Sequence, residues 1–266
     1  MINRFLLFLF CTLQLAAQHD SIFLAEHLAL GNPSNAVRSI SVPKNYLMVK
    51  RQYVLSYNRF AGIPNWTAWH LDSTWLGAIR RKNNFRPDSS LPAQWHRVTE
   101  LSYRHSGYDR GHMCPSGDRT NTAEDNTMTF LMTNMVPQAP NNNQGPWAVL
   151  ELYCRELVKE GNELYIYSGG YGTKGFLDSG RVNIPERVWK VIVVLPSGDR
   201  DRERITDSTR VIAVDMPNDN LLIGKHDNWK KFRTAVDTVE QKTGFDFLSA
   251  LPTAFQSVLE QTIDCR

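Results

Sequence analysis

Two short stretches of the chain carry side chains that could do chemistry together. The first, residues 108–112, reads Tyr-Asp-Arg-Gly-His, and the second places asparagines at 141–143 and Glu151 eight positions after the last of them. The imidazole of His112 can accept a proton near neutral pH. The amide oxygen of Asn143 and the carboxylate of Glu151 are oxygen ligands of the kind that Mg²⁺ prefers. Together the stretches provide a base, an arginine and a candidate site for a hard cation.

This set of residues suits the hydrolysis of a phosphodiester. That reaction needs a base to activate water, a cation to neutralise the charge that develops on the phosphate, and often an arginine to bind a phosphate oxygen. His112, the Asn143–Glu151 pair and Arg110 could fill these three roles. Spacing alone also permits a structural interpretation, because a histidine beside glycine is commonly a packed residue and asparagine-rich turns commonly cap backbone groups.

A longer pattern distinguishes these interpretations. The sequence DRGH at 109–112 is followed by NMVPQ at 134–138, by NQGPW at 143–147 and by Leu-Glu at 150–151. This combined pattern resembles the DNA/RNA non-specific endonuclease family, whose members have a ββα-metal active site. The likeness extends over residues 46–175. Within the family, the sequence is particularly similar to the secreted sugar-non-specific nucleases of cyanobacteria.

The resemblance implies a role for each matching position. His112 matches the family's general base, which does not touch the metal. Asn143 matches its one direct protein ligand to a single divalent cation, Mg²⁺ or Mn²⁺. Glu151 matches the acid that hydrogen-bonds the water molecules around that cation. Asn134 matches a nearby amide that helps to order the site.

Two arginines complete the implied site. Arg110 is expected near the substrate phosphate. Arg81 begins an Arg-x-x-x-Phe-Arg-Pro-Asp arrangement and is similar to the family's transition-state arginine, with its neighbour Arg80 as the alternative. For Asp109, a role in orienting the hairpin and a purely structural role are both open.

The function implied by the resemblance is that of a sugar-non-specific endonuclease that cuts DNA and RNA and leaves 5′-phosphate ends. A proteinaceous nuclease inhibitor is a further partner that the family analogy suggests. Two other hypotheses use the same residues: a relative that binds nucleic acid without cutting it, and a metal-dependent phosphoesterase for small substrates. No motif indicates the oligomeric state.

The composition is typical of a folded protein. Of 266 residues, 42% are apolar and 21% are charged, which supplies a sizeable core and excludes wholesale disorder. The formal net charge of +3 permits a polyanionic partner without requiring one, because phosphate binding depends on how the charges cluster.

Residues 1–17 predict a secretory signal peptide. Arg4 precedes an apolar run, and the small residues at 16–17 suit a cleavage site. We therefore expect a secreted chain, extracellular or periplasmic, with one endonuclease domain over 18–266. A helix packed on the body and a lipoprotein modified at Cys11 are the alternatives. No later apolar run reaches the roughly 20 residues of a membrane span.

Three cysteines follow the predicted signal peptide: Cys114, Cys154 and Cys265. Export would allow one disulfide and one free thiol, and the sequence leaves their pairing open. Their wide spacing argues against a structural zinc site.

The elements around these residues predict an α+β fold, with a central antiparallel sheet flanked by helices and a ββα-metal motif at the site. One helix opens at Gly145-Pro146, where proline suits the first turn, and ends at Gly161. A second helix starts at Asp227 and ends at Gly244. Strands are predicted at 46–59, 66–76, 127–133, 164–167, 188–195 and 211–214.

The glycines at 170–175 match the dinucleotide fingerprint GxGxxG by spacing. That fingerprint binds a pyrophosphate only when a helix opens directly after it. The residues that follow, up to Pro185, are typical of a loop. We therefore interpret the pattern as a turn between strands.

Overall fold

A seven-stranded antiparallel sheet forms the centre of the computed structural model, which describes residues 20–266. The predicted signal peptide, residues 1–17, lies outside the described residues. The strands, in their order across the sheet, are β1 (Tyr46–Val49), β2 (Val54–Asn58), β3 (Ile63–Leu71), β6 (Asn162–Tyr171), β9 (Arg187–Pro196), β10 (Arg210–Pro217) and β11 (Arg233–Thr234). Two antiparallel pairs lie outside the sheet, β4 (Asp109–His112) with β5 (Met135–Gln138) and β7 (Gly175–Leu177) with β8 (Val182–Ile184).

Helices pack on both faces of the sheet. They are α1 (20–27), α2 (Ala123–Met128), α3 (Pro140–Asn143), α4 (Pro146–Lys159), α5 (Asp201–Arg204), α6 (Val236–Thr243) and α7 (Thr253–Leu259). Over residues 20–266, no helix combines the length and the hydropathy that crossing a membrane requires.

Alternation along the strands divides the core into two layers. On β9, Val188 and Ile192 pack in the layer that contains α4, whereas Trp189 and Val191 pack in the layer that contains α6 and α7. This is the pattern of a sheet that is buried on both faces. The predicted α+β fold, a central antiparallel sheet flanked by helices, is confirmed.

The predicted helix that opens at Gly145-Pro146 is confirmed as α4. Its apolar side chains are buried at helical spacing: Trp147, Leu150, Cys154, Leu157 and Val158. A side chain at Gly145 would collide with the backbone carbonyls of Asn141 and Lys225, so only glycine allows the helix to start here.

The predicted strands of the sheet are confirmed, with different limits. The three later ones lie within β6, β9 and β10. The stretch 46–59 forms a hairpin, because β1 and β2 pair across a turn at 50–53. The stretch 66–76 ends as a strand at Leu71, since the Asp72 side chain accepts a hydrogen bond from the Thr74 amide and starts a 3₁₀ turn.

The predicted strand over 127–133 is wrong. The Thr122 side chain accepts a hydrogen bond from the Asp125 amide and so starts helix α2, which runs on to Met128. A 3₁₀ turn follows, and the strand begins only at β5. Phe130 and Met132 are buried from this irregular segment, and their period-two spacing therefore imitates a strand.

The predicted helix from Asp227 to Gly244 is wrong in its first half. Residues 229–232 form a 3₁₀ turn, β11 follows, and α6 starts only at Val236. The Asp227 carboxylate accepts a hydrogen bond from the Gly224 amide instead of capping a long helix. Gly244, at a φ of +72°, ends α6 as predicted.

The interpretation of residues 170–175 as a turn is confirmed. Strand β6 ends at Tyr171 and β7 begins at Gly175, with Gly172 at a φ of +76° between them. No helix opens there, and the geometry of a pyrophosphate site is lacking.

Arg119 ties the sheet to the loop after β4. Its side chain is fully buried and donates hydrogen bonds to the carbonyl oxygens of Gln52 (2.9 and 2.6 Å), Asp118 (2.8 Å) and His70 (2.9 Å). The guanidinium also lies 4.0 Å from the centre of the Trp75 ring. Three segments that are distant in sequence therefore meet at one cation.

Replacing Arg119 by methionine should destabilise the protein by about 3 to 5 kcal/mol, because buried carbonyl groups lose their donors. Urea unfolding followed by tryptophan fluorescence measures the loss. Arg202→Met, at an exposed arginine, is the control and should leave the free energy of unfolding unchanged. Equal stability of the two variants would contradict this account of Arg119.

Candidate active site

The predicted site residues lie on or beside a ββα unit formed by β4, β5 and α4. Arg110 and His112 are on β4 and Glu151 is on α4, whereas Asn134 directly precedes β5 and Asn143 is the last residue of α3. In the hairpin, Gly111 pairs with Val136 and His112 pairs with Met135. A side chain at Gly111 would collide with the side chain of Gln138 on the opposite strand. The DRGH sequence therefore needs its glycine so that the two strands can approach.

His112 is a buried imidazole with one free nitrogen. Its ring packs against Phe130 and Phe85, with centroids 4.9 and 5.5 Å away. One ring nitrogen hydrogen-bonds the Arg110 backbone, and Nε2 has no partner among residues 20–266. Burial, and then the charges of Arg81 and Arg110, hold the pKa of His112 well below its usual value. The ring is therefore neutral at pH 7 and its free nitrogen can accept a proton.

The three consecutive asparagines face in different directions. Asn141 and Asn142 donate side-chain hydrogen bonds to backbone carbonyls in the loop 217–223, which anchors the turn. Asn143 Nδ2 instead donates to Asp109 Oδ2 at 2.8 Å. With its nitrogen held in this way, the Asn143 amide has its oxygen available as a ligand.

Asp109 positions the turn before α4. Besides Asn143, it accepts a 2.8 Å hydrogen bond from Gln144 Nε2. The carboxylate thus links the first residue of β4 to the end of α3. These contacts favour a positioning role for Asp109. The part that it positions is the asparagine turn, and not the hairpin as the sequence suggested.

Glu151 lies above a buried lysine. Lys190 Nζ is 3.8 Å from Glu151 Oε1, is fully buried, and has no hydrogen-bond partner in the described chain. The ammonium lies 4.3 Å from the Trp147 ring centre and 5.4 Å from that of Trp69. Burial raises the pKa of Glu151 to about 7, and the charge of Lys190 opposes this rise. Near pH 7, Glu151 can therefore be present both as the ionised carboxylate and as the neutral acid.

Lys190 is not among the site residues predicted from the sequence. The sequence signal for Lys190 is that it is the one charged residue on its face of β9. The other buried residues of that face, Val188, Ile192 and Val194, are apolar. A charged residue at such a position needs a partner. The partner comes from α4, which sequence spacing could not show.

Of the two candidate arginines before Phe85, only Arg81 reaches the site. Its Nη1 donates to Ser116 Oγ at 2.9 Å, and its guanidinium lies 4.9 Å from the Phe130 ring centre. Arg80 is exposed and forms no ion pair or side-chain hydrogen bond with residues 20–266. Arg110 stacks 4.1 Å from the Phe85 ring centre.

Asn134 supports the backbone next to His112. Its Oδ1 accepts from the Cys114 amide at 3.0 Å, and its Nδ2 donates to the carbonyls of Cys114 and Thr129 at 2.8 and 2.9 Å. The side chain is fully buried. Its geometry is that of a positioning residue that acts through the backbone.

The described cysteines are all free thiols. Cys114 and Cys154 are buried, which raises the pKa of each to about 12, and Cys265 is exposed. No disulfide therefore restrains His112 through Cys114.

Arg155 is a second site residue that was not predicted from the sequence, and its charge lowers the pKa of Glu151. It follows Glu151 by one turn of α4, and its Nη1 lies 2.8 Å from Asp118 Oδ1. Asp118 in turn accepts a 3.0 Å hydrogen bond from Trp69 Nε1. The spacing of four residues from Glu151 is the signal that places Arg155 on the same helix face.

A neutral histidine, an oriented amide and a buried carboxylate lie on or beside this ββα unit, with Arg110 on β4 and Arg81 reaching them from the preceding loop. This arrangement is typical of a ββα-metal nuclease. The chain belongs to the DNA/RNA non-specific endonuclease family, whose family model matches residues 31–254. The protein is thus a nuclease and a hydrolase, and its family consists of metal-dependent enzymes. The resemblance inferred from the DRGH pattern is confirmed.

Known relatives agree with this assignment. The chain is 52% identical to a nuclease of Nostoc sp. over 241 residues, which cover 91% of this chain and 87% of the relative. It is 34% identical over 213 residues to the mitochondrial nuclease EXOG of Danio rerio, covering 75% of this chain and 60% of that protein. Among solved structures, the EndoG/EndoGI complex contains a similar fold, with a TM-score of 0.72 and 24% identity over 86% of this chain and 93% of that one.

Replacing Lys190 by methionine should move the acidic limb of the cleavage rate to higher pH by roughly one unit or more. Without the ammonium, the pKa of Glu151 rises further, so the ionised carboxylate is lost earlier as the pH falls. The measurement is the initial rate of plasmid cleavage from about pH 5 to about pH 9. Lys159→Met, at an exposed lysine of α4, is the control, and an identical profile for both variants would contradict the role of Lys190.

Proposed function

We propose that this protein is a secreted endonuclease that hydrolyses phosphodiester bonds in both DNA and RNA, with His112 as general base and one divalent cation, Mg²⁺ or Mn²⁺. The observation that carries the proposal is the unpartnered Nε2 of a buried, neutral His112. This nitrogen lies in the same site as Arg81, Arg110 and Glu151, whose charges act on one another.

The donor set fits a hard divalent cation. Asn143 offers an amide oxygen whose orientation Asp109 fixes, and Glu151 offers a carboxylate. Oxygen donors with a low number of protein ligands are characteristic of Mg²⁺ and Mn²⁺ sites. Asn143 would be the direct ligand, and Glu151 would hold the surrounding water. Once bound, the cation would neutralise charge on the phosphate during the reaction.

The residues of the chain account for the remaining steps. Arg81 and Arg110 bind phosphate oxygens and stabilise the charge that grows on them. His112 Nε2 accepts a proton from water as the water oxygen forms a bond to phosphorus. The bond from phosphorus to the 3′ oxygen breaks, and that oxygen takes up a proton from solvent. The products carry a 5′-phosphate and a 3′-hydroxyl.

The absence of a sugar preference follows from the kind of groups involved. The site residues described above recognise phosphate, and phosphate contacts carry no information about base or sugar. The description of the family as DNA/RNA non-specific supports this substrate range.

The location and the partners of the enzyme rest on separate observations. The pattern of residues 1–17 supports export, to the extracellular space or the periplasm. The EndoG/EndoGI complex supports a proteinaceous inhibitor as a partner, since EndoG is inhibited in that complex.

His112→Ala and Asn143→Ala should each lower the rate of cleavage by at least about 10²-fold, since one removes the base and the other the cation ligand. The assay incubates residues 18–266 with supercoiled plasmid and with RNA, in Mg²⁺, in Mn²⁺ and in EDTA. Circular dichroism should show that both variants remain folded. A folded variant that cuts at the normal rate would remove that residue from the mechanism.

The same assay separates the other two hypotheses. Wild-type chain that binds both polymers without cutting them would indicate a binding protein. Hydrolysis of a chromogenic phosphodiester without cleavage of plasmid or RNA would indicate a small-molecule phosphoesterase.

Asp109→Ala should weaken Mn²⁺ binding by about 10- to 100-fold, because the Asn143 amide loses the partner that orients it. Calorimetric titration of the metal-free protein with Mn²⁺ measures the effect. Gln144→Ala is the matched control, since it removes the other hydrogen bond to the same carboxylate and should leave the affinity within about twofold. Unchanged affinity in Asp109→Ala would show that Asn143 orients itself.

A further inference from the structure

Three carboxylates lie together on the face of the sheet opposite the active site. Asp237 and Glu240 are on α6, and Glu260 follows the last residue of α7. One carboxylate oxygen from each lies within 4.8 Å of one from each of the others. We call these three residues the acidic triad. The helices that carry it pack in the core layer that does not contain α4.

The triad is held in place by backbone hydrogen bonds. The Asp237 amide donates to the Glu260 carbonyl at 3.0 Å, which joins the start of α6 to the end of α7. Glu240 Oε1 accepts a 2.8 Å hydrogen bond from the Phe247 amide. The three carboxylates are therefore brought together by the fold.

Glu260 has an unsatisfied buried oxygen. The residue is 7% exposed, and its Oε1 has no hydrogen-bond partner in the described chain. Burying a carboxylate oxygen without a partner is costly, and such atoms in native proteins normally require a donor, water or an ion. The carboxyl group that carries this oxygen is the one that lies in the acidic triad with Asp237 and Glu240.

No cationic side chain compensates the triad. None of the ion pairs formed by residues 20–266 includes any of its members. Burial, and then repulsion from Glu240, Asp237 and Asp246, raise the pKa of Glu260 to about 7. The fold thus collects negative charge at this point without supplying the opposite charge.

A second cluster shows what a compensated group looks like in this protein. His70, Glu163 and Asp201 also lie within 4.8 Å of one another. There, however, the Arg204 guanidinium donates hydrogen bonds to both carboxylates, and His70 lies 3.1 Å from Glu163. That cluster contains its own cation, so it needs no metal.

We propose that the acidic triad binds one Ca²⁺ ion at a site separate from the nuclease centre. Ca²⁺ takes oxygen ligands at about 2.3 to 2.6 Å, so two oxygens on one ion can lie up to about 5 Å apart. The triad oxygens, which all lie within 4.8 Å of one another, meet this limit. Water would complete the coordination. The bound ion would satisfy Glu260 Oε1 and fasten the end of α7 to α6.

The test uses Ca²⁺ alone and the full chain carrying Asn143→Ala, so that the proposed nuclease metal does not contribute. Calorimetry should show one ion per chain with a Kd of about 10⁻⁴ M. The melting temperature should rise by about 5 to 11 °C at a concentration about 100-fold above the Kd. Since neither readout is cleavage, failure of the nuclease mechanism would leave this result intact.

Glu260→Gln on the same background separates binding from folding. It should weaken Ca²⁺ binding at least tenfold and also raise the melting temperature of the Ca²⁺-free protein, because it removes one repelling charge. Glu203→Gln makes the same charge change at an exposed glutamate and is the control. If Glu260→Gln does not fold, Asp237→Asn gives the same comparison.

Three outcomes would overturn the proposal. The first is the lack of a heat signal and of a melting shift at about 10 mM Ca²⁺. The second is a normal Ca²⁺ response in folded Glu260→Gln. The third is a Ca²⁺-insensitive protein whose stability rises from about pH 8 to about pH 6, since this sign of pH dependence indicates that Glu260 binds a proton instead of an ion.

Discussion

The active site depends on the contact between Lys190 and Glu151, which places a compensating positive charge beside a buried carboxylate. Helix α4 can carry a carboxylate onto the sheet because an ammonium from β9 lies beneath it, between two tryptophan rings. Among residues 20–266 the ammonium has no hydrogen-bond partner, and Glu151 is its one ion-pair partner. Such a pair contributes little to stability, whereas the charge of Lys190 lowers the pKa of Glu151 against the effect of burial. The same contact therefore fixes both how α4 packs on the sheet and which charges the site contains.

The pKa of His112 is also set by burial and by neighbouring charges, but here both effects lower it. Burial and the neighbouring arginines keep the imidazole neutral, and the same arginines leave the site rich in positive charge. Arg110 faces a phenyl ring and Arg81 a hydroxyl and a phenyl ring, and neither forms an ion pair among the residues described. A site of this kind favours an incoming anion, and the phosphate backbone of nucleic acid supplies one.

The sequence predicted those features that depend on neighbouring residues, and it did not predict those that depend on contacts between distant parts of the chain. Helix α4 and its ends were predictable, because proline, glycine and the apolar stripe are local features. Strand 127–133 was not, since the cap at Thr122 lies upstream of the misleading pattern. Asn143 was identified by motif, but the direction of its amide depends on Asp109, 34 residues earlier. Lys190 and Arg155 act through partners on other elements, and no local spacing shows those partners.

The state of the cysteines has a practical consequence. Neither buried thiol is paired, so the fold of residues 20–266 does not depend on oxidation. Reducing conditions therefore remove no covalent restraint from the described part of the chain. Of the described thiols, only that of Cys265 is exposed to solvent. A maleimide dye added to the native protein thus has a single accessible target in this part of the chain, and it leaves the buried thiol of Cys114, next to the β4–β5 hairpin, untouched.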